Sequence, residues 1–539
     1  MPTIRQYPLH DKLMGGVDTT LPANLIGADQ WRTQHNFRLT PALTQIPRKI
    51  LVSSIISSED VRWMGIVPSA NPGFGTFVYL TESGIFDSNN PSTPFVTLVK
   101  DGNYHRWAVQ LYGGRLFYTN EINPLRVNTG VSDTPLLNAP AGRYLAFWYD
   151  HVVVGSPTGF PNRIQFSDVY DFTKWTPDAT NEADYYDFVE WQQTDFPFTG
   201  VTGIGKLKGT LWVYTPTAII PVSYVGKPKV IKVEEEGIIT RTGNTFPWTL
   251  VCLDTVHFFF DYLEMMFFVF DGSTYVPIGE PVRQYLMDNL STNVERASRM
   301  YGYIDSVNRE IWWPFVSNKN SNTGLFDKAV VFNYRYRKWS TASVSNVQCF
   351  SVGGQLAQVI SSLQGTIGNL KGNITSLGSA GIISSRLYGT NNGQLLTDDF
   401  PGFTTTAPIP YSDSFGLYDT PVLETGDFVY GDIRNVKETD VMILNSAFQL
   451  ELQSTLNLPP TPPVAEVDVF VSGRDYLGDA PSYPQTPNAQ WMPNLQDGLA
   501  SYQGSVKGRV LRYKFVFNNT RFATMSAFSE GLVQTKAEK

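Results

Sequence analysis

The stretch TGIGKLKGTLWVYT, residues 202–215, reads as a β-hairpin. A first strand ends at Lys208-Gly209, and a second strand rich in Leu, Trp, Val and Tyr follows. Glycine adopts the positive φ angles that tight hairpin turns require, and the residues after it favour strands. The sequence therefore predicts two antiparallel strands joined by a two-residue turn.

Four more stretches share this layout of strand, short polar turn and strand. They are WAVQLYGGRLFYT (107–119), YLAFWYDHVVVGS (144–156), TLVCLDTVHFFFD (249–261) and YGYIDSVNREIWWPF (301–315), with turns predicted at Gly113-Gly114, Asp150-His151, Asp254-Thr255 and Asn308-Arg309. The turns recur at intervals of about 37 to 58 residues, close to the ~40 to 50 residues of a four-stranded propeller blade.

Some of these five hairpins are followed in the sequence by a second hairpin. MMFFVFDGSTYVPIG (265–279) turns at Asp271-Gly272, and AVVFNYRYRKWST (329–341) turns around Tyr336 to Lys338 and is closed by Trp339. Two hairpins make one blade, so the sequence predicts an all-β chain whose body, residues 51–400, is a β-propeller of six to eight blades. A β-sandwich or barrel also consists of short strands and turns, and it remains the alternative.

The two ends of the chain differ from residues 51–400 in composition and in the pattern of apolar residues. Proline clusters at residues 401–413 and 458–466, and the strands around the second cluster alternate apolar and polar residues. Ala465, Val467, Val469 and Val471 alternate with Glu466 and Asp468, as in a half-buried strand. We expect residues 401–539 to form an antiparallel β-sandwich or platform domain, to which residues 1–50 add an arm or an edge strand.

Residues 355–377 carry a different pattern. Leu and Ile recur there with the 4,3 spacing of a heptad, but Gly365, Gly368 and Gly372 interrupt it. Each glycine costs a helix roughly 1 kcal/mol relative to alanine. We therefore expect an ordered loop or short strands here, with a coiled coil as the alternative.

The composition excludes several classes of protein. The formal net charge is −8, so the chain is unsuited to gripping nucleic acid by neutralising phosphates. Cys252 and Cys349 are the only cysteines of the sequence, and two reduced thiols are the expectation. We expect no secretion signal, because residues 1–16 lack an apolar core, and no membrane segment, because no uncharged run is long enough to span a membrane.

No catalytic, cofactor or metal motif stands out in the sequence. GIGKLKG (203–209) lacks the spacing of a phosphate-binding loop, and the histidines are dispersed without the spacing of zinc ligands, as expected of surface or turn residues. The run Glu234-Glu235-Glu236 indicates a solvated loop or an acidic edge that faces a channel lumen. We expect no enzymatic activity and no cofactor.

The stretch PNRIQFSDVYDFTKW, residues 161–175, concentrates polar and aromatic side chains. Its residue types resemble those of the Asp boxes of propeller sialidases, but Ser167 and Asp168 are adjacent and no glycine precedes Trp175. Asp and Ser at such positions bond to the backbone in turns. We expect six residues to stabilise the blades and hold them together: Arg163, Ser167, Asp168, Asp171, Trp175 and Trp339.

The order of these parts resembles that of the tail nozzle proteins of short-tailed bacteriophages, also called tail tubular protein B, and of related phage head-completion or stabilisation proteins. The most specific element is PNRIQFSD followed by DFTKW, and the similarity runs from about residue 25 to the end. The other parts that carry it are HNFRLTPALTQIPRK (35–49), GKLKGTLWVYTPTAIIPVSYVG (205–226), FFFDYLEMMFFVFDGSTYVPIGEPV (258–282), AVVFNYRYRKWSTASV (329–344), VSGRDYLGDAP (471–481) and GRVLRYKFVF (508–517).

The resemblance implies a propeller attached to a platform-like β domain. It also implies six copies in a ring at the virion tail, assembled in the host cytoplasm. The implied partners are a tail adaptor above the ring, a needle or fibres below it, and double-stranded DNA that passes through the lumen without sequence-specific binding. The alternative is a carbohydrate-binding or glycan-cleaving propeller of the tail.

Overall fold

The computed structural model describes most of the chain. The described residues are 5–9, 14–27, 29–39, 43–46, 49–54, 59–68, 75–87, 94, 96–101, 103–129, 132–189, 199–227, 229–344, 347–354, 384–390, 394–398, 420–428, 436–449, 466–477, 479–491, 499–518 and 522–535. The predicted heptad at 355–377 and the proline cluster at 401–413 lie outside these residues, as does nearly all of the cluster at 458–466.

Among the described residues, five short strands precede the first blade in the sequence. They are β1 (Arg5–Leu9), β2 (Trp31–His35), β3 (Phe37–Leu39), β4 (Leu43–Gln45) and β5 (Lys49–Ser54).

Three four-stranded antiparallel sheets follow, each with its strands paired in chain order. Blade 1 contains β6 (Trp63–Pro68), β7 (Gly75–Leu80), β8 (Gly84–Asp87) and β9 (Val96–Thr97). Blade 2 contains β10 (Ala108–Tyr112), β11 (Arg115–Thr119), β12 (Arg126–Asn128) and β13 (Asp133–Pro135). Blade 3 contains β14 (Gly142–Trp148), β15 (His151–Pro157), β16 (Arg163–Phe166) and β17 (Asp184–Asp187).

The next three sheets repeat the same meander. Blade 4 contains β18 (Gly203–Leu207), β19 (Thr210–Tyr214), β20 (Ala218–Tyr224) and β21 (Ile231–Val233), and β22 (Ile239–Thr240) also pairs with β20. Blade 5 contains β23 (Val251–Cys252), β24 (His257–Asp261), β25 (Met266–Phe270) and β26 (Tyr275–Pro277). Helices α1 (Glu280–Asn289) and α2 (Val294–Ala297) lead to blade 6, which contains β27 (Tyr303–Asp305), β28 (Glu310–Phe315), β29 (Lys328–Asn333) and β30 (Lys338–Ser343).

Blade 7 combines strands from the two ends of the propeller part of the sequence. Its first three strands are β31 (Val347–Gly354), β32 (Ser384–Thr390) and β33 (Gln394–Asp398). The fourth is β5, which pairs antiparallel with β33. A strand from near the N-terminus therefore completes the last blade, and its pairing with β33 closes the ring.

The apolar cores prove that the blades form a closed ring. Within the described residues, each pair of consecutive blades shares one buried cluster, and blade 7 shares one with blade 1. Representative pairs, from the junction of blades 1 and 2 to that of blades 7 and 1, are Val78 with Tyr118, Phe117 with Val154, Phe166 with Val213, Tyr214 with Phe259, Phe267 with Trp313, Trp312 with Phe350, and Cys349 with Tyr79. The first strands of neighbouring blades contact each other at the junctions of blades 2 and 3, 3 and 4, 4 and 5, and 7 and 1, so the first strands lie around the axis and the fourth strands at the circumference.

The remaining strands build a β-sandwich. They are β34 (Val422–Thr425), β35 (Val436–Gln449), β36 (Glu466–Arg474), β37 (Ala489–Trp491), β38 (Leu499–Gly508), β39 (Val510–Asn518) and β40 (Phe522–Thr535). One sheet holds β3, β4, β40, β35 and β38, with β1 paired to β40; the other contains β2, β34, β39, β36 and β37. A core between them includes Phe37, Leu43, Val469 and Phe515.

The sandwich and the propeller share a sheet. Strand β2 pairs on one side with β34 of the sandwich and on the other with β30, the outer strand of blade 6. The junction is fastened by hydrogen bonds, in which Asn36 N donates to Thr341 O at 2.9 Å and Ser343 N donates to Asn36 Oδ1 at 2.8 Å. A shared sheet and these bonds couple the two parts more tightly than a linker does.

The all-β class and the propeller with an added sandwich are confirmed, and the seven blades of the described residues fall within the predicted range of six to eight. One predicted turn is wrong by one residue: Tyr149 and Asp150 form it, and His151 begins β15. Among the described residues, no helix is long and apolar enough to cross a membrane.

Candidate functional site

The stretch at residues 161–175 lies in blade 3, where β16 ends and the loop to β17 begins. In a meander sheet this loop emerges on the same face as the turn between β14 and β15. The two are joined directly, because Tyr170 N donates to Asp150 O at 3.2 Å. The motif therefore belongs to the face of the propeller that carries the first hairpin turns.

Ser167 and Asp168 bond to backbone on both sides of this loop. Ser167 is fully buried, and its Oγ accepts a hydrogen bond from Val152 N at 2.9 Å. Asp168 Oδ1 accepts from Val169 N at 2.9 Å and from Glu182 N at 2.8 Å, which ties the start of the loop to its end. Both donors to the Asp168 carboxylate are backbone amides of the same blade.

Asp171 and Trp175 organise the middle of the loop. Asp171 Oδ1 accepts from Thr173 N at 3.2 Å and from Thr173 Oγ1 at 2.6 Å, and these bonds lower the pKa of Asp171. Trp175 is only 2% exposed, and its Nε1 donates to Phe172 O at 2.8 Å. Its ring lies in the cluster between blades 2 and 3.

Arg163 lies at the outer side of the same blade. It makes a bidentate pair with Asp187 of the neighbouring strand, with both N···O distances at 2.8 Å. The guanidinium carbon also lies 4.0 Å from the ring centres of Phe160 and Tyr185. The hydrogen bonds to Asp187 raise the pKa of Arg163.

Replacing Trp175 by alanine is expected to destabilise the protein by about 3 to 5 kcal/mol, because the change leaves a cavity between two blades. Phe160→Ala is the matched control, since Phe160 is half exposed and its loss leaves no closed cavity. Urea unfolding followed by tryptophan fluorescence, normalised for the lost Trp, measures both variants. Equal midpoints for the two variants would contradict the packing role of Trp175.

Trp339 occupies the corresponding kind of position between blades 5 and 6. It lies in β30, is buried, and donates from Nε1 to Ile278 O at 2.7 Å. Its ring centre is 4.8 Å from that of Phe332 and 5.1 Å from that of Phe267. The side chain thus connects the outer strand of blade 6 with blade 5.

The acidic run at 234–236 follows β21, the fourth strand of blade 4. Glu235 and Glu236 are exposed, and Glu234 Oε2 accepts from Lys232 Nζ at 2.7 Å, which lowers the pKa of Glu234. The fourth strands lie at the circumference, so these carboxylates do not line the propeller's own axis. A lumen formed between copies of the chain remains their predicted surroundings.

The prediction of surface or turn histidines is wrong for His151 and His257, which are both fully buried. His151 Nδ1 donates to Ser167 O at 2.7 Å. His257 Nε2 donates to Lys206 O at 3.1 Å, and its Nδ1 lies 2.8 Å from Tyr214 Oη. Burial lowers the pKa of His257 to about 4, so this imidazole is neutral and packs within the core.

Sequence reasoning also missed a cluster at the propeller axis. Tyr104 precedes β10 of blade 2, and the guanidinium carbons of Arg62 and Arg299 lie 4.7 and 4.3 Å from its ring centre. Arg106 lies 3.3 Å from the ring centre of Tyr301. Blades 1 and 7 separate blade 2 from blade 6, so these contacts bridge the axial opening at one face of the propeller.

No local spacing could have indicated this cluster, because its arginines come from loops far apart in the sequence. Their guanidinium groups pack on tyrosine rings, an arrangement that stabilises by roughly 0.5 to 2 kcal/mol per contact. Among the described residues, no three His, Cys, Asp or Glu side chains come together as a metal site.

Comparisons with known proteins give no family. No family model matches the chain, and no curated protein matches it. Solved structures that are similar include the extracellular domain of a hybrid two-component system from B. thetaiotaomicron, with 11% identity, a TM-score of 0.39 and coverage of 92% of this chain and 57% of that one. The chain thus spans little more than half the length of that protein.

Two single propellers are also similar. The WD40 β-propeller domain of Doa1 has 8% identity and a TM-score of 0.37, with 68% of this chain and all of that chain covered. YCF48 from Cyanidioschyzon merolae has 8% identity and a TM-score of 0.35, with 65% and 98% covered. At such values the similarity carries no information on function, and the fold assignment rests on the strand pairing.

Proposed function

We propose that the protein is a structural component of a bacteriophage virion, a tail nozzle whose six copies form a ring that closes and extends the tail channel. The observation that carries the proposal is the layout of the chain. A propeller is joined through a shared sheet to a sandwich built from both ends of the chain, as the resemblance to nozzle proteins implies for a propeller and platform.

The coupling between the two parts supports this role. Besides the β2 and β30 pairing, Asn333 Nδ2 of blade 6 donates to Leu39 O of the sandwich at 2.9 Å. The N-terminal segment also reaches helix α1, where Thr19 N donates to Pro281 O at 2.8 Å. A closed ring of identical subunits requires every subunit to present its contact surfaces at one fixed angle, and a rigid junction meets this requirement.

The charge of the chain supports a conduit for DNA. Six copies at −8 each carry a formal charge of −48. An acidic wall repels the phosphate backbone, so DNA passes along the lumen without being held. In this proposal a tail adaptor lies above the ring and a needle or fibres lie below it.

Native mass spectrometry of the purified protein tests the ring. The expected result is a mass six times the 60.3 kDa of one chain. Added double-stranded DNA is expected to remain unbound at physiological salt, because six copies of the chain carry a large net negative charge. A protein that stays monomeric at all accessible concentrations, or that binds DNA tightly, would contradict the proposal.

A further inference from the structure

A group of tyrosines lies on the propeller face that carries the motif loop. Tyr149, in the turn between β14 and β15, is 53% exposed, and Tyr170, in the motif loop, is 72% exposed. Two more tyrosines flank them, Tyr112 at the end of β10 in blade 2 and Tyr224 at the end of β20 in blade 4. The group therefore spans three consecutive blades.

Carboxylates accept hydrogen bonds from the hydroxyl groups of Tyr112, Tyr170 and Tyr224. Asp150 accepts from Tyr112 Oη at 2.5 Å and from Tyr170 Oη at 2.7 Å, and Glu182 accepts from Tyr224 Oη at 2.6 Å. The bond from Tyr112 lowers the pKa of Asp150, and the same bond raises the pKa of Tyr112 to about 12. Asp150 is therefore ionised and the tyrosines are neutral donors at physiological pH.

Ring contacts fix the tyrosines further. The rings of Tyr149 and Tyr224 are stacked with their centres 5.1 Å apart, and the rings of Tyr112 and Phe147 are stacked at 4.1 Å. Each tyrosine is thus held through its hydroxyl group, its ring or both, while Tyr149 and Tyr170 present large areas to solvent. Rigid aromatic surfaces of this kind bind ligands at low cost in conformational entropy.

The backbone at this group is strained. Tyr149, Asp150 and Tyr170 have φ angles of 46°, 59° and 58°, in the left-handed region that favours glycine. Strained residues persist only where their surroundings enforce them, and they cluster at ligand-binding sites. Tyrosine stands at two of these positions, although glycine is favoured there, and its aromatic ring projects from the backbone turn.

We propose that Tyr149, Asp150 and Tyr170, with Tyr224 and Glu182, form a binding site for a sugar ring of a neutral glycan. A pyranose has an apolar C–H face and a rim of hydroxyl groups. The apolar face would stack on an exposed tyrosine ring, and hydroxyl groups at its rim would donate to Asp150 or Glu182. A carboxylate oxygen has two lone pairs, so the oxygens of Asp150 and Oε2 of Glu182 can each accept one bond besides that from a tyrosine.

The charge of the site and the arrangement of its side chains favour a neutral sugar over an acidic sugar or a protein partner. The negative charge of Asp150 disfavours phosphorylated or acidic sugars through like-charge repulsion. The alternation of rings and carboxylates differs from the core of a protein interface, which is depleted of charged residues. The site goes beyond the proposed channel function, because it lies on the surface of one chain, across blades 2 to 4, and needs no second copy.

The test uses the full chain and two neutral probes, maltooligosaccharides and N-acetylglucosamine oligosaccharides, titrated by isothermal calorimetry. The variants Tyr149→Gly and Tyr170→Gly remove the rings while giving each turn the residue that its φ angle favours, so the fold is retained. We expect at least one probe series to bind, and each variant to bind it at least tenfold more weakly. Tyr275→Ala, an exposed tyrosine of blade 5, is the control and binds as the wild type does.

Three results would overturn the proposal: no binding of either probe series, unchanged binding by both glycine variants, or binding of an acidic oligogalacturonate in preference to both neutral series. Native masses of the variants separate this site from the ring. If the glycine variants lose the multimer, the surface is a contact between copies, and the glycan site is rejected. If the wild type is monomeric but still binds glycan, the channel proposal fails and the site stands.

Discussion

A chain that begins at residue 59 is expected to lose its cooperative unfolding transition. The shortened chain lacks β5, so blade 7 retains only three of its four strands. It also lacks β2, which joins the sandwich to blade 6. Finally, it loses the N-terminal residues of the sandwich core, which are Trp31, Phe37, Leu39 and Leu43.

The size of the effect follows from these buried side chains. Burying one large apolar side chain contributes roughly 1.5 to 3 kcal/mol, so four contribute roughly 6 to 12 kcal/mol. A typical domain is stable by only about 5 to 15 kcal/mol, so the sandwich is not expected to survive the loss. The new edges of β30 and β34 would also expose unpaired backbone groups, which promote aggregation.

Near-ultraviolet circular dichroism during heating, with size-exclusion chromatography, measures the outcome. The control chain begins at residue 5 and keeps every described strand, so its transition is expected to match that of the full chain. Adding residues 1–58 as a separate peptide is expected to restore part of the transition. A chain of residues 59–539 that is monodisperse and unfolds like the full chain would rule out the joint role of β2 and β5.

Replacing Asp427 by alanine is expected to destabilise the sandwich by about 3 to 5 kcal/mol, the usual cost of removing one partner of a buried ion pair. The Asp427 side chain is 2% exposed, just beyond β34. Its Oδ1 accepts hydrogen bonds from Arg474 and, at 2.7 Å, from Arg512 Nε. Both arginine side chains are also buried, so the variant leaves them without this negative charge.

A second carboxylate offsets only part of the loss. Glu424 Oε1 lies 3.4 Å from Arg512 Nη1 and accepts a hydrogen bond from Tyr483 Oη at 2.8 Å. The contact to Arg512 is longer than the bond that Asp427 provides. Because Tyr483 already donates to Glu424, a shift of Glu424 toward Arg512 would weaken that bond.

Urea unfolding midpoints compare Asp427→Ala with two further variants. Asp288→Ala removes an exposed carboxylate of α1 and is expected to change stability by less than about 0.5 kcal/mol. The triple variant Asp427→Leu, Arg474→Met and Arg512→Leu removes the charges together and is expected to recover most of the loss. If Asp427→Ala unfolds at the same urea concentration as Asp288→Ala, the buried charge cluster has no role in stability.

The sequence predicts the hairpins well because their signals are local. Gly113-Gly114 and Lys208-Gly209 lie at the turns, where their φ angles are positive, and apolar strands follow them. Alternation also predicts β36 correctly, since Val467, Val469 and Val471 are all buried. In each case, neighbours in the sequence determine the conformation.

The features that were missed depend on contacts between distant segments. The pairing of β5 with β33 and the contact of Tyr104 with Arg299 connect residues hundreds of positions apart, and no spacing rule encodes them. The turn at Tyr149 and Asp150 was placed one residue late, because Asp-His is the more usual turn pair and tyrosine rarely adopts a positive φ angle.

The most direct measurement of the central claim is a cryo-electron microscopy reconstruction of the purified protein without imposed symmetry. Our account predicts a six-fold ring around an open lumen, in which each subunit shows a seven-bladed disc joined to a sandwich. Single particles of one chain, or assemblies without cyclic symmetry and a lumen, would contradict it.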